Sequence, residues 1–173
     1  MGIMFGLGSG GTALIAKYIG QNNRKLANNC AIHLLLIGIF ISLIILLLGM
    51  YYVNILLNIQ GANAESIILS LEYFQITVFG IPFMILSVFL RSILSGEGDN
   101  TFPMIVLGIG TVINIILDPF LILRYGIAGA TMATVISQII VFLIFIYSMA
   151  FKQTTYLVIN PRYFSFDYQL INL

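Results

Sequence analysis

The residues of this chain best placed to do chemistry are Asn114 and Asp118, an amide and a carboxylate four positions apart inside a long apolar run, with Pro119 directly behind them. On a helix an i,i+4 pair shares a face, so both side chains point into the same space. Pro119 has no N–H to give the carbonyl of Ile115, and its ring crowds that carbonyl. Three oxygens from one helical turn suit a small hard cation such as Na⁺, and the same carboxylate could instead take a proton. The plainer reading is a kink near the end of the run, with the carboxylate solvated. Ionisable groups inside a membrane usually mark ion or proton pathways, which favours the functional reading.

Weaker candidates lie at comparable depths. Thr134, in the next apolar run, could add a hydroxyl ligand, although a threonine in a helix usually bonds its own backbone. Gln138 and Gln75 could line a cavity or bond a neighbouring helix. Thr77 and Thr131 are of the same kind. His33 and Arg91 read as residues that reach toward an interface. Pro82 frees the carbonyl of Val78 and bends its run. Nothing points to an enzyme: there is no Walker motif, dinucleotide fingerprint, HExxH or nucleophile elbow. One cysteine, Cys30, excludes an intrachain disulfide, and no metal cluster or cofactor is indicated beyond a possible Na⁺ at Asp118.

These residues have to be positioned by elements that live in lipid. Of 173 residues 60% are hydrophobic and 8% charged, with a mean hydropathy of +1.08. Seven Lys+Arg and six Asp+Glu cannot solvate the surface of a soluble domain, which needs roughly a quarter of its residues charged. The partner is therefore the bilayer. A net charge of +1 argues against nucleic acid. Polar punctuation divides the chain into spans of about 3–19, 30–53, 73–94, 102–123 and 127–151. At about 1.5 Å per residue each can cross roughly 30 Å of hydrocarbon, the first only just. Lipid demands that backbone groups be satisfied within the segment, which excludes open sheets. The predicted fold class is all-α, a polytopic transmembrane helical bundle of about five spanning helices over 1–151.

Charge predicts the orientation. Lys17, Arg24, Lys25, Arg91, Lys152 and Arg162 fall on one side and Arg124 alone on the other. The positive-inside rule makes the first side cytoplasmic, in a multi-pass protein of the cell membrane. Residues 152–173 then read as a cytoplasmic linker or interfacial segment. No basic region precedes the first apolar stretch, so it does not read as a signal peptide. An outside N-terminus and an abrupt tail predict a preceding helix and a following portion.

Several stretches together resemble one family. Gly6-Leu7-Gly8-Ser9-Gly10-Gly11-Thr12 with Lys17-Tyr18-Ile19-Gly20 is similar to the second helix of multidrug and toxic compound extrusion (MATE) transporters. Arg91 through Pro103, with Gly96-Glu97-Gly98-Asp99-Asn100-Thr101, resembles their loop between helices four and five. Asn114 through Pro119, followed by Gly126-Ile127-Ala128-Gly129-Ala130-Thr131 and Thr134, is similar to their fifth and sixth helices. The resemblance implies a partial N-lobe, helices two to six of a two-lobed fold. It implies cation-coupled (Na⁺ or H⁺) export of amphipathic or cationic organic compounds, with Asn114, Asp118 and Thr134 at the cation site. It also implies as partners a first helix, which carries another acidic residue of that site, and a C-terminal lobe. A lipid-linked oligosaccharide flippase of the same superfamily, or a non-transporting membrane scaffold, are the alternatives.

Overall fold

A computed structural model describes residues 2–59, 64–151 and 157. Five helices follow one another: α1 (Gly2–Gly20), α2 (Arg24–Ile59), α3 (Ala64–Gly96), α4 (Thr101–Tyr125) and α5 (Ile127–Phe151). No strand occurs among the described residues. The expected linker 152–173 and the polar loop 60–63 lie outside the described residues, apart from Leu157.

The five expected helices are all present. The first span is a helix, but among the described residues only four helices are long and apolar enough to cross a membrane: Arg24–Ile55, Ser70–Gly96, Thr101–Tyr125 and Ile127–Ala150. α1 falls short because six of its 19 residues are glycine and it carries Ser9, Thr12 and Lys17. The helices also differ in length from the apolar spans they contain. α2 and α3 extend well beyond the expected 30–53 and 73–94, because a helix continues through interfacial polar residues such as Arg24, Asn28 and Glu72.

α3 is the centre of the bundle. It packs on α1 and α2 to one side and on α5 to the other, while α4 leans almost wholly on α5. Two hydrophobic cores result. One joins Ile15 of α1, Ala27, Cys30, Ala31 and Leu34 of α2, Ile85, Phe89 and Ile93 of α3, and Leu157. The other joins Leu90 and Leu94 of α3, Val106 of α4, and Val141 and Phe145 of α5. Both sit toward the end of the bundle that holds the α1–α2 and α3–α4 turns. The opposite half, where Asn114 and Asp118 lie, is packed around smaller and more polar side chains.

The turns explain why that end is tight. Asn23 Oδ1 accepts from the Leu26 N–H (3.1 Å) and caps α2. At α4, Asn100 stands at the N-cap position but makes no side-chain cap bond. Asp99 Oδ1 does that work, accepting from the Phe102 N–H at 3.0 Å. Glu97 Oε1 accepts from the Leu157 N–H (2.8 Å), which ties Leu157 to the α3–α4 turn.

Glycines in α1 serve close packing, though not all of them. A β-carbon on Gly8 would lie 2.7 Å from Ser92 Oγ, and one on Gly11 2.6 Å from Leu34 Cδ2, whereas Gly6 and Gly10 face open space. The close approach lets Thr12 Oγ1 reach both its own Gly8 carbonyl (3.0 Å) and the Ser92 carbonyl of α3 (2.9 Å). One proton serves two acceptors. Thr12→Val keeps the shape and removes the bond, so it should lower stability by about 0.6–1.7 kcal/mol, the range for interhelical hydrogen bonds in lipid. Thermal unfolding in detergent measures this; an unchanged midpoint would assign α1–α3 association to packing alone.

Candidate functional site

Asn114 lies in the middle of α4 and Thr134 in the second turn of α5. The one-residue turn at Gly126 lays the two helices side by side, and Gly126 N–H bonds the Ile122 carbonyl at 2.8 Å. Asn114 Nδ2 donates to Thr134 Oγ1 at 3.4 Å. Thr134 in turn donates to its own Ala130 carbonyl at 3.1 Å, the ordinary behaviour of a helical threonine. The Thr134 hydroxyl proton and one amide N–H of Asn114 are thus both engaged, the latter toward Thr134. Asp118 sits one turn further along α4. Its Oδ1 is buried and has no hydrogen-bond partner. A buried carboxylate oxygen without a donor costs free energy until a cation or proton reaches it.

A cavity of about 280 Å³ opens between α3, α4 and α5, and Asn114, Thr134 and Gln138 line it together with Ser87, Arg91 and Thr111. A second cavity of about 380 Å³ shares Met84, Thr134 and Gln138 with the first and continues past Tyr73, Thr77 and Thr131. Thr134 and Gln138 therefore stand where the two spaces meet. Gly80 makes room for Val135 and Gln138: a β-carbon there would lie 2.6 Å from Val135 Cγ2 and 3.1 Å from Gln138 Oε1.

The structure brings Asn114, Thr134 and Gln138 to one cleft. Asp118 adjoins it on α4 but lines neither cavity, and Gln75 is exposed and lines neither. His33 Nδ1 lies 2.9 Å from the Asn29 carbonyl one turn back, a local contact. Sequence reasoning did not place Ser87 and Ser137 at the cleft, and it sent Arg91 only to the headgroups. The available signal was spacing, since Ser87 and Arg91 are four apart on α3 and share a face.

A bundle of apolar helices whose polar side chains converge on an internal cleft is the architecture of a membrane transport protein. Similarity to known proteins names the family. The family described as MatE matches residues 1–120, and the chain belongs to it. The probable multidrug resistance protein YoeA of Bacillus subtilis (strain 168) is 32% identical over 145 residues, covering 80% of this chain and 31% of the relative. Among solved structures, the inward-facing conformation of a multidrug resistance MATE family transporter of the MOP superfamily superposes with a TM-score of 0.92 at 30% identity, over 98% of this chain and 39% of that one. The outward-facing conformation gives 0.90, over 98% and 38%. The chain thus spans about a third of the length of the relatives it matches. It is a multi-pass membrane protein of a transporter family associated with multidrug efflux.

Proposed function

We propose that this chain forms the cation-binding part of a Na⁺- or H⁺-coupled antiporter that exports amphipathic organic compounds. The observation that carries the reading is the buried, unpartnered Asp118 Oδ1, one turn from the hydrogen-bonded Asn114–Thr134 pair. A cation or proton there would complete the coordination that the helices leave open. Asn114, Asp118 and Thr134 supply the ligands, and Gln138 and Thr131 line the approach. A single carboxylate beside an amide and a hydroxyl suits a hard monovalent cation or a proton. Of the substrate descriptions the resemblance implies, amphipathic is the one the mixed polar and apolar cleft supports.

In the whole protein this lobe works with a first helix and a second lobe, and rocking of lobes around a midplane site is the mechanism such folds use. The near-equal match to inward- and outward-facing relatives supports a lobe that moves largely as a body. The turns holding Arg24, Lys25 and Gly96–Asp99 are proposed to face the cytoplasm, from the bias in Lys and Arg.

The test is a Na⁺ titration of the thermal midpoint of the purified chain in neutral detergent, with K⁺ at equal ionic strength as control. A ligand that binds only the folded state adds about 2.7 kcal/mol at a hundredfold excess over its Kd. A rise with Na⁺ and not K⁺, or a rise on acidification that replaces it, is expected. Identical curves in all three conditions would favour a scaffold without an ion site.

A further inference from the structure

Arg91 faces two spaces. On one side it lines the 280 Å³ cleft with Ser87, Asn114 and Gln138. On the other it lines a smaller groove of about 170 Å³ between α1 and α3 with Ser9, Thr12, Ser92 and Ser95. The two sides differ in what they offer. In the groove, Ser9 donates to the Gly6 carbonyl, Thr12 to those of Gly8 and Ser92, and Ser92 to that of Val88. Three of the four hydroxyls have spent their protons and present lone pairs, which suits a guanidinium and gives little to an anion. In the cleft the situation is reversed. Ser87 is only 8% exposed, and its Oγ is buried without a partner. It sits one turn before Arg91 on the same face of α3, so a residue with an unused donor and one with a guanidinium fork line the same volume.

The rest of the cleft decides what kind of anion fits. Met84, Val88, Leu107 and Val141 give it apolar walls, and no carboxylate lines it among the described residues. Its one formal charge is positive. We propose that the cleft holds an amphipathic organic anion, its carboxylate or phosphate head on Arg91 and Ser87 and its apolar part against Met84, Val88, Leu107 and Val141. This deepens the transport reading and rests on it for the meaning of the cleft. The head sits near the turn between α3 and α4, since Arg91 lies five residues before the end of α3. The cation ligands Asn114 and Asp118 lie deeper. One cleft thus offers an anion and a coupling cation adjacent places, a natural basis for competition or for co-binding between the two.

The experiment compares two single-chain amphiphiles with the same tail, decanoate and decyltrimethylammonium, on the thermal midpoint of the full chain in neutral maltoside detergent. Decanoate should stabilise and the ammonium should not. Arg91→Gln should require roughly ten- to a hundredfold more decanoate for the same shift, the usual worth of a hydrogen-bonded charge. Arg91→Lys keeps the charge without the fork and should fall between, and Ser87→Ala should weaken the response several-fold. Because Arg91 is exposed, its replacement should leave the fold intact; if Arg91→Gln does not fold, the lysine and Ser87→Ala variants decide. Lipid discs separate the sources: protection by phosphatidylglycerol over phosphatidylcholine that needs Arg91, without a decanoate effect, assigns the same site to an anionic lipid. Equal stabilisation by both amphiphiles, or unchanged responses in the Arg91 and Ser87 variants, overturns the proposal. These readings need no ion gradient, so a failed Na⁺ response at Asp118 leaves them standing.

Discussion

Gly129→Ala should destabilise the bundle by about 3 kcal/mol, the upper end of the usual cost of overpacking. A β-carbon at Gly129 would overlap the Leu121 carbonyl oxygen and carbon and crowd Ile122 N, which it would approach to 2.8 Å. These are backbone atoms, so no rotamer change can relieve the clash. The short turn leaves little freedom either: Gly126 has φ of 60°, and Gly129 N–H bonds its carbonyl at 3.0 Å. The only relief is to pry α5 from α4, which opens the contact on which α4 chiefly depends. At about 2–4 °C per kcal/mol for a chain of this size, the midpoint should fall by roughly 6–12 °C. Gly108, on the same helix as Leu121, is exposed, with nothing within 4 Å of where its β-carbon would sit, and Gly108→Ala should be neutral or slightly stabilising. Equal midpoints for the two variants would mean that α4 and α5 are not held at this separation. A second consequence is functional. Leu121 is one turn from Asp118, so separation of the helices should also weaken any Na⁺ response by moving Asn114 away from Thr134.

The fold was legible in the sequence because charge is so scarce that each polar cluster marks a boundary. α4 and α5 match the expected 102–123 and 127–151 to within two residues, since Gly96–Asn100 and Gly126 punctuate them. α2 and α3 run longer than the apolar stretches read from hydropathy, because a helix can continue through the polar residues that bound such a stretch. α1 has a less apolar stretch than the other four helices because glycine is permitted in an apolar run but does little to make it apolar. The site followed the same logic. Asn114 and Asp118 stood out as polar residues within an apolar run, and Thr134 was found from its depth across the turn. Gln75 could not be assigned a face, because a helix that is apolar nearly all round gives no amphipathic signal to orient it. Ser87 escaped notice for a different reason. A serine hardly registers in hydropathy, and only the packing of α3 against α5 shows that its hydroxyl is buried and unsatisfied. Gly80 is similar: its role is to admit Val135 and Gln138, a fact of the neighbouring helix rather than of its own sequence.

Asp118→Asn should abolish the Na⁺ or acid response and yet leave the ion-free chain at least as stable as the wild type. The two effects have one cause. In the wild type, Asp118 Oδ1 is buried with no donor, and an unsatisfied buried polar group costs about 1–3 kcal/mol, more when charged. The amide keeps the size and planarity of the side chain and removes the charge, so it sheds part of that cost; a gain of about 1 kcal/mol is expected. It also removes the negative ligand, and an amide oxygen alone holds Na⁺ weakly. Stability spent on a strained or unsatisfied group at a functional site, and recovered when function is lost, is a familiar trade. Asp118→Glu serves as the companion: it keeps the charge but displaces it by one methylene from Asn114 and Thr134, so a response should persist at higher Na⁺. Titrating all three proteins with Na⁺ and with acid separates the possible ions, because a proton site responds to acid at constant Na⁺ and a sodium site does the reverse. A large loss of ion-free stability in Asp118→Asn, with no ion response in the wild type, would make the carboxylate a structural group of α4 and remove the basis for coupling at this cleft.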